Sequence, residues 1–142
     1  MSFNGKYRIQ NVQSGYFLHA DKSISSGDTL ITSPAPATFD ESYAFYIKTV
    51  SGGLALFTSS YKSLIAGVGD SVVESAPIVW KRGEQLFQVN SVSPADQIYN
   101  IRLTSVDFYW FDDKASGNPY RTVLLREGSN KDQTAWRILP AA

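Results

Sequence analysis

Hydrophobic positions along the 142-residue chain follow a period of two and not a helical period. No stretch of eleven or more residues sets apolar groups at i, i+3, i+4 and i+7, and Gly, Ser or Pro interrupts every candidate. Short runs rich in β-branched and aromatic residues alternate instead with turn clusters such as Gln13-Ser14-Gly15, Ser25-Ser26-Gly27-Asp28 and Ser116-Gly117-Asn118-Pro119. The pattern predicts an all-β chain of many hairpins.

The runs recur. Tyr7-Arg8-Ile9, Leu54-Ala55-Leu56 and Tyr99-Asn100-Ile101 open three similar segments, 47 and then 45 residues apart. Ala44-Phe45-Tyr46-Ile47, Leu86-Phe87-Gln88-Val89 and Ala135-Trp136-Arg137-Ile138 close them, each with an aromatic two residues before a branched aliphatic, at spacings of 42 and 49. Each unit holds two further strands: Tyr16 to Ala20 and Thr29 to Thr32, Ser63 to Ala66 and Pro77 to Trp80, Phe108 to Phe111 and Thr122 to Leu125. Four strands in each of three pseudo-repeats, about 1–50, 51–93 and 94–142, predict a twelve-stranded β-trefoil in one domain, with six strands in a barrel and six in a hairpin cap. An immunoglobulin-like sandwich would have about seven strands and no three-fold recurrence. Phe45, Phe87 and Trp136 are read as core wedges.

Composition narrows the function. A hydrophobic fraction of 43% with eight Phe, eight Tyr and three Trp belongs to a chain that folds. Thirteen basic residues balance thirteen acidic ones, and Lys81-Arg82 is the only adjacent basic pair, so no nucleic-acid partner is expected. No apolar run approaches the roughly 20 residues that span a bilayer, and no membrane insertion is expected. The lack of cysteine, of an Asn-x-Ser/Thr sequon and of an apolar leader after Met1 leads to the expectation of a cytoplasmic protein, a monomer or weak homodimer.

Candidate chemistry is sparse, and a non-enzymatic protein without cofactor or metal is expected. His19 is the single histidine, no Gly-x-Ser-x-Gly elbow exists, and one His without Cys cannot furnish a usual zinc site. The acidic doublet Asp112-Asp113 reads as a strand end entering the turn Lys114 to Asn118, because neighbours in a strand face opposite ways. Gly67-Val68-Gly69-Asp70 lacks the helix and third glycine of a dinucleotide fingerprint and is read as a turn. Function then falls to loops. Asp21 to Gly27 presents Lys22, Arg126 to Thr134 presents Arg126 and Lys131, and Ser33 to Ser42 is stiffened by Pro34 and Pro36. A basic side chain at the crest of a rigid loop suits the acidic primary pocket of a trypsin-like protease.

Gly5-Lys6-Tyr7-Arg8-Ile9-Gln10-Asn11-Val12 with Ser14-Gly15-Tyr16-Phe17-Leu18 resembles the start shared by fungal ricin-B-like lectins and the cospin and cnispin group of serine-protease inhibitors. The run Leu86-Phe87-Gln88-Val89, Ser93-Pro94, Tyr99-Asn100-Ile101, Trp110-Phe111-Asp112-Asp113 and Val123-Leu124-Leu125 looks more like the inhibitors. That resemblance implies a reactive site in the loop between strands two and three or between eleven and twelve, hence Lys22, Arg126 or Lys131, and a defensive role. The lectin resemblance implies glycan binding of the galactose/GalNAc or fucosylated type. Its Asp and Gln-x-Trp pattern is eroded: His19 or Ala20 stands in the Asp position of the first repeat, and Asp132-Gln133-Thr134-Ala135-Trp136 is one residue too long. A surviving sugar site would use Asp112, Asn130 and Gln133, with Trp110 as the stacking face. Inhibitor is the leading expectation and lectin the alternative.

Overall fold

A computed structural model of the chain describes residues 2–113, 120–128 and 132–141. Twelve strands appear: β1 (Asn4–Asn11), β2 (Phe17–His19), β3 (Ile31–Ser33), β4 (Phe45–Thr49), β5 (Leu54–Ser59), β6 (Ile65–Val68), β7 (Ile78–Lys81), β8 (Phe87–Ser93), β9 (Ile98–Arg102), β10 (Phe108–Asp113), β11 (Arg121–Glu127) and β12 (Trp136–Pro140). Helix among the described residues is confined to 3-10 turns of three residues.

Antiparallel pairing runs β1–β4–β5–β8–β9–β12 and returns from β12 to β1, which closes a six-stranded barrel. The other six strands form the hairpins β2–β3, β6–β7 and β10–β11. These hairpins meet around the pseudo-three-fold axis through the same bridge used three times: Thr29 with Val79, Pro77 with Leu124, and Thr122 with Ile31. Closing the barrel and capping its end leaves few open strand edges, and the fold is a β-trefoil.

Burial explains the register. Phe45, Phe87 and Trp136 are wholly buried, as are Leu30, Ile78 and Val123 at the centre of the cap. Trp136 donates its indole N–H to the Trp110 carbonyl at 3.0 Å, so the wedge also ties β12 to the third hairpin. The barrel pairs Tyr7–Phe45, Ala55–Phe87 and Tyr99–Trp136 occupy equivalent places. Ala55, and not the Leu54 expected from the repeat, therefore matches Tyr7. The reason is the pleat: Ala55, Phe57 and Ser59 point inward, while Leu54 and Leu56 lie on the half-buried outer face.

Two loop expectations also change. Gly67 and Val68 belong to β6, where Gly67 pairs with Val79. Arg126 belongs to β11, which continues to Glu127 because Phe108 and Tyr109 supply partners for Glu127 and Arg126.

Candidate functional site

The hairpin registers align three positions. His19, Gly67 and Phe111 occupy the same place on the first strand of each hairpin, and Ser33, Lys81 and Arg126 the same place on the second. Because both positions project from one face, the size of the second residue decides whether the first is covered.

In the second repeat the Lys81 stem lies across Gly67. A Cβ added to Gly67 would come within 2.5 Å of Lys81 Cδ, and Lys81 Nζ donates to the Val68 carbonyl at 3.2 Å. In the third repeat the Arg126 guanidinium sits over the Phe111 ring, 5.0 Å from its centroid, and donates to Ser75 Oγ. Ser33 in the first repeat is too short to do either, and its hydroxyl is 3.1 Å from the Tyr43 hydroxyl. His19 therefore faces an open concavity of about 290 Å³, lined also by Asp21, Ser23, Asp28, Thr29 and Ile31.

The concavity has a charged side and an aromatic side. Asp21 is exposed; its Oδ1 accepts the Ser23 amide at 2.9 Å and the Ser23 hydroxyl at 2.5 Å, and these bonds hold its carboxyl below the usual carboxylate range. No hydrogen bond reaches Asp21 Oδ2 from the described residues, which leaves one carboxylate oxygen available. The His19 ring lies 4.5 Å from Tyr43 and 6.2 Å from Tyr120, inclined 24° to each. Tyr43 is buried and Tyr120 is 46% exposed, so of the three rings it is His19 that lines the concavity, backed by the two tyrosines. Burial lowers the His19 pKa from its ordinary 6.5 against the opposing pull of Asp21 and Asp40, so the imidazole is neutral at pH 7, with its Nδ1 buried and unbonded.

The loop carrying Asp21 is braced. Ile24 inserts its side chain into the core, the Gly27 amide donates to the Trp80 carbonyl at 2.7 Å, and the Ser25 amide donates to Asp28 Oδ2 at 2.8 Å. A fixed carboxylate acceptor beside a neutral aromatic surface can take up hydroxyl groups on one side and C–H groups on the other. Among the described residues, no group of three His, Cys, Asp or Glu side chains could hold a metal ion.

The residues singled out in the sequence fare differently. Trp110 is wholly buried, packed 5.0 Å from Phe57 and 5.2 Å from Phe87 between ring centroids, so it is a core residue and cannot stack on a sugar. Asp112 is wholly buried too. Its oxygens accept the hydroxyls of Ser14 and Thr32, each at 2.7 Å, and face Arg121 Nε at 3.4 Å, so it joins the first and third repeats and is closed to ligand. Gln133 lies in a 3-10 turn three residues before Trp136, and its carbonyl accepts Asn11 Nδ2 at 2.9 Å. The position two before the wedge is the buried Thr134, and its counterparts are Tyr43 and Gln85. Arg126 lies in β11 with its guanidinium over Phe111 and is no loop crest. Asn130 and Lys131 lie outside the described residues. Lys22 is exposed in the braced loop beside Asp21. Asp21, Tyr43 and Tyr120 were not singled out by sequence; the signal for Asp21 was its place directly after the second strand, visible once the hairpin register is known.

No protein-family model matches the sequence, and no curated protein matches it. Solved structures do match in fold. The designed three-fold symmetric protein ThreeFoil superposes with a TM-score of 0.84 at 16% identity, over 97% of this chain and 100% of that one. The ricin B-like lectin of Macrolepiota procera, solved with lactose, gives 0.81 at 14% identity over 99% of both chains. The Rhizoctonia solani agglutinin gives 0.82 at 14% identity, over 97% of this chain and 96% of that one. The chain shares the β-trefoil fold with ricin B-like lectins.

Proposed function

We propose that the protein is a non-enzymatic galactoside-binding protein whose site is the open concavity of the first repeat. The observation that carries this reading is the pairing of a fixed, ionised Asp21 having one unengaged oxygen with the His19 ring, in the hairpin whose cross-strand residue leaves that face uncovered. Asp21 accepts sugar hydroxyls and the His19 ring packs against the C–H face of the pyranose. The lactose-bound lectin of the same fold supports the choice of sugar. Asp21→Asn keeps the acceptor for Ser23 but removes the charge. It is expected to weaken lactose binding by about 1.5–3 kcal/mol, about ten- to hundredfold, at unchanged melting temperature. Calorimetric titration of both proteins reads this directly, and undiminished binding by the variant rejects the site.

The same geometry sets a pH dependence. A sugar against His19 buries the ring further, which favours its neutral form, so binding opposes protonation. Because the His19 pKa lies below 6.5, affinity is expected to be flat above that value and to fall on acidification, before Asp21 protonates in a range below 3.8. In His19→Phe, which copies the Phe111 of the third repeat, this decline is expected to vanish. A titration series across that range that shows the same decline in the variant would assign it elsewhere.

A second reading, inhibition of a trypsin-like protease, is favoured by one observation: Lys22 stands exposed on a loop anchored by Ile24 and by the Asp21 and Asp28 turns. An inhibitor of that design loses tight trypsin binding in Lys22→Ala while its thermal stability is unchanged. Equal inhibition by both proteins, or none by either, removes it.

A further inference from the structure

The basic residues are used unevenly. Lys6 pairs with Glu41 at 2.8 Å, Arg8 covers Phe39, Arg121 faces Asp112, and Lys81, Arg102, Arg126 and Arg137 donate to protein oxygens. Among the described residues Lys22, Lys48, Lys62 and Arg82 have no side-chain hydrogen bond, ion pair or cation–π contact. Three of these four belong to one region. Lys62 and Arg82 line a small cleft of about 160 Å³ with Ser25, Ser26, Ile24 and Leu64, and Lys22 stands on the loop that walls it.

That cleft and the proposed sugar site share Ile24, so they lie on the two sides of one loop. The carboxylates are segregated from the cations: Asp21 and Asp28 line the sugar side, while Lys62 and Arg82 line the other. Asp21 and Asp28 are each held by neutral donors of the loop itself, Ser23 and the Ser25 amide, and neither carboxylate forms an ion pair with Lys62 or Arg82. The Ser23 hydrogen bonds are the main cause of the lowered Asp21 pKa and Lys62 the smallest, so Asp21 stays ionised at pH 7 without Lys62.

From this juxtaposition we infer an oxyanion subsite, formed by Lys62 and Arg82 with the hydroxyls of Ser25 and Ser26, that takes the carboxylate or sulfate of an acidic glycan whose neutral sugar occupies the first-repeat concavity. This deepens the galactoside reading and rests on it for the sugar half. The guanidinium of Arg82 supplies the fork that oxyanions accept, the Lys62 ammonium a second charge, and the serines neutral donors.

The test is calorimetric titration of the full chain with lactose, sialyllactose and sulfated lactose at low and high salt, repeated on Lys62→Ala/Arg82→Ala. Inorganic sulfate alone is titrated in parallel against the Ser25 and Ser26 amide resonances. Acidic glycans are expected to bind the wild type about tenfold more tightly than lactose, a margin that shrinks with salt and is absent in the double variant, whose lactose affinity is unchanged. A preference for sialyllactose or for sulfated lactose identifies the carboxylate or the sulfate as the group bound. Equal affinity for lactose and both acidic forms overturns the subsite and leaves the sugar site standing. If lactose fails to bind, the galactoside reading falls, and sulfate decides the subsite separately: shifts at Ser25 and Ser26 that the double variant lacks sustain it, and their absence in the wild type overturns it.

Discussion

Trp110→Ala is expected to destabilise the protein by about 3–5 kcal/mol, as much as the whole stability of a domain at the lower end of the ordinary range. The indole sits where the third hairpin meets the barrel, with centroids 5.0 Å from Phe57, 5.2 Å from Phe87 and 6.2 Å from Trp136. These neighbours come from β5, β8 and β12, so no single strand can move in to refill the space. Trp110→Phe serves as the companion. It retains most of the packing and removes an indole N–H that is buried without a partner, so its cost is expected to be well below that of alanine. Denaturant unfolding separates the two. A small alanine effect together with loss of lactose binding would return Trp110 to the role of a sugar platform.

Asp112→Ala is the second large effect, about 3 kcal/mol. The carboxylate is the shared acceptor of Ser14 and Thr32 and the counter-charge of Arg121, whose side chain is 12% exposed. Removing it leaves the fully buried Thr32 hydroxyl without this acceptor and Arg121 without its charge partner, while the half-buried Ser14 hydroxyl can turn to water. Arg121 Nε makes an ion pair at 3.4 Å but no hydrogen bond, so the hydroxyls account for much of the loss. Asp112→Asn keeps one good acceptor and is expected to lose less than half as much. Lactose affinity is expected to survive in both variants at temperatures where they remain folded. Unfolding curves that leave either variant as stable as the wild type would show that the network contributes nothing.

The fold was legible because it rests on local alternation repeated three times: the wedges Phe45, Phe87 and Trp136 announce the barrel, and Gly and Ser clusters mark the hairpins. The Leu54 misalignment arose where apolar residues stand on both faces of β5, so that composition alone does not say which face is inward. The site was much less legible. Trp110 beside Asp112 has the residue types of a sugar site, but strand alternation turns both into the interior, and the partners of Asp112 lie 98 and 80 residues away at Ser14 and Thr32. Arg126 looked like a loop cation because nothing in its neighbourhood reveals that Ser75, 51 residues distant, will meet it. The open first repeat depends on the contrast between Ser33 and its counterparts Lys81 and Arg126, a comparison that exists only once hairpin registers are fixed.

A lactose titration followed through the backbone amide resonances decides whether the first-repeat concavity is the sugar site. Progressive shifts confined to His19 through Ser23, Ile31 and Tyr120, with the amides of Gly67 and Phe111 unmoved, are the predicted result. Shifts centred on the third hairpin, or none at millimolar lactose, would contradict it.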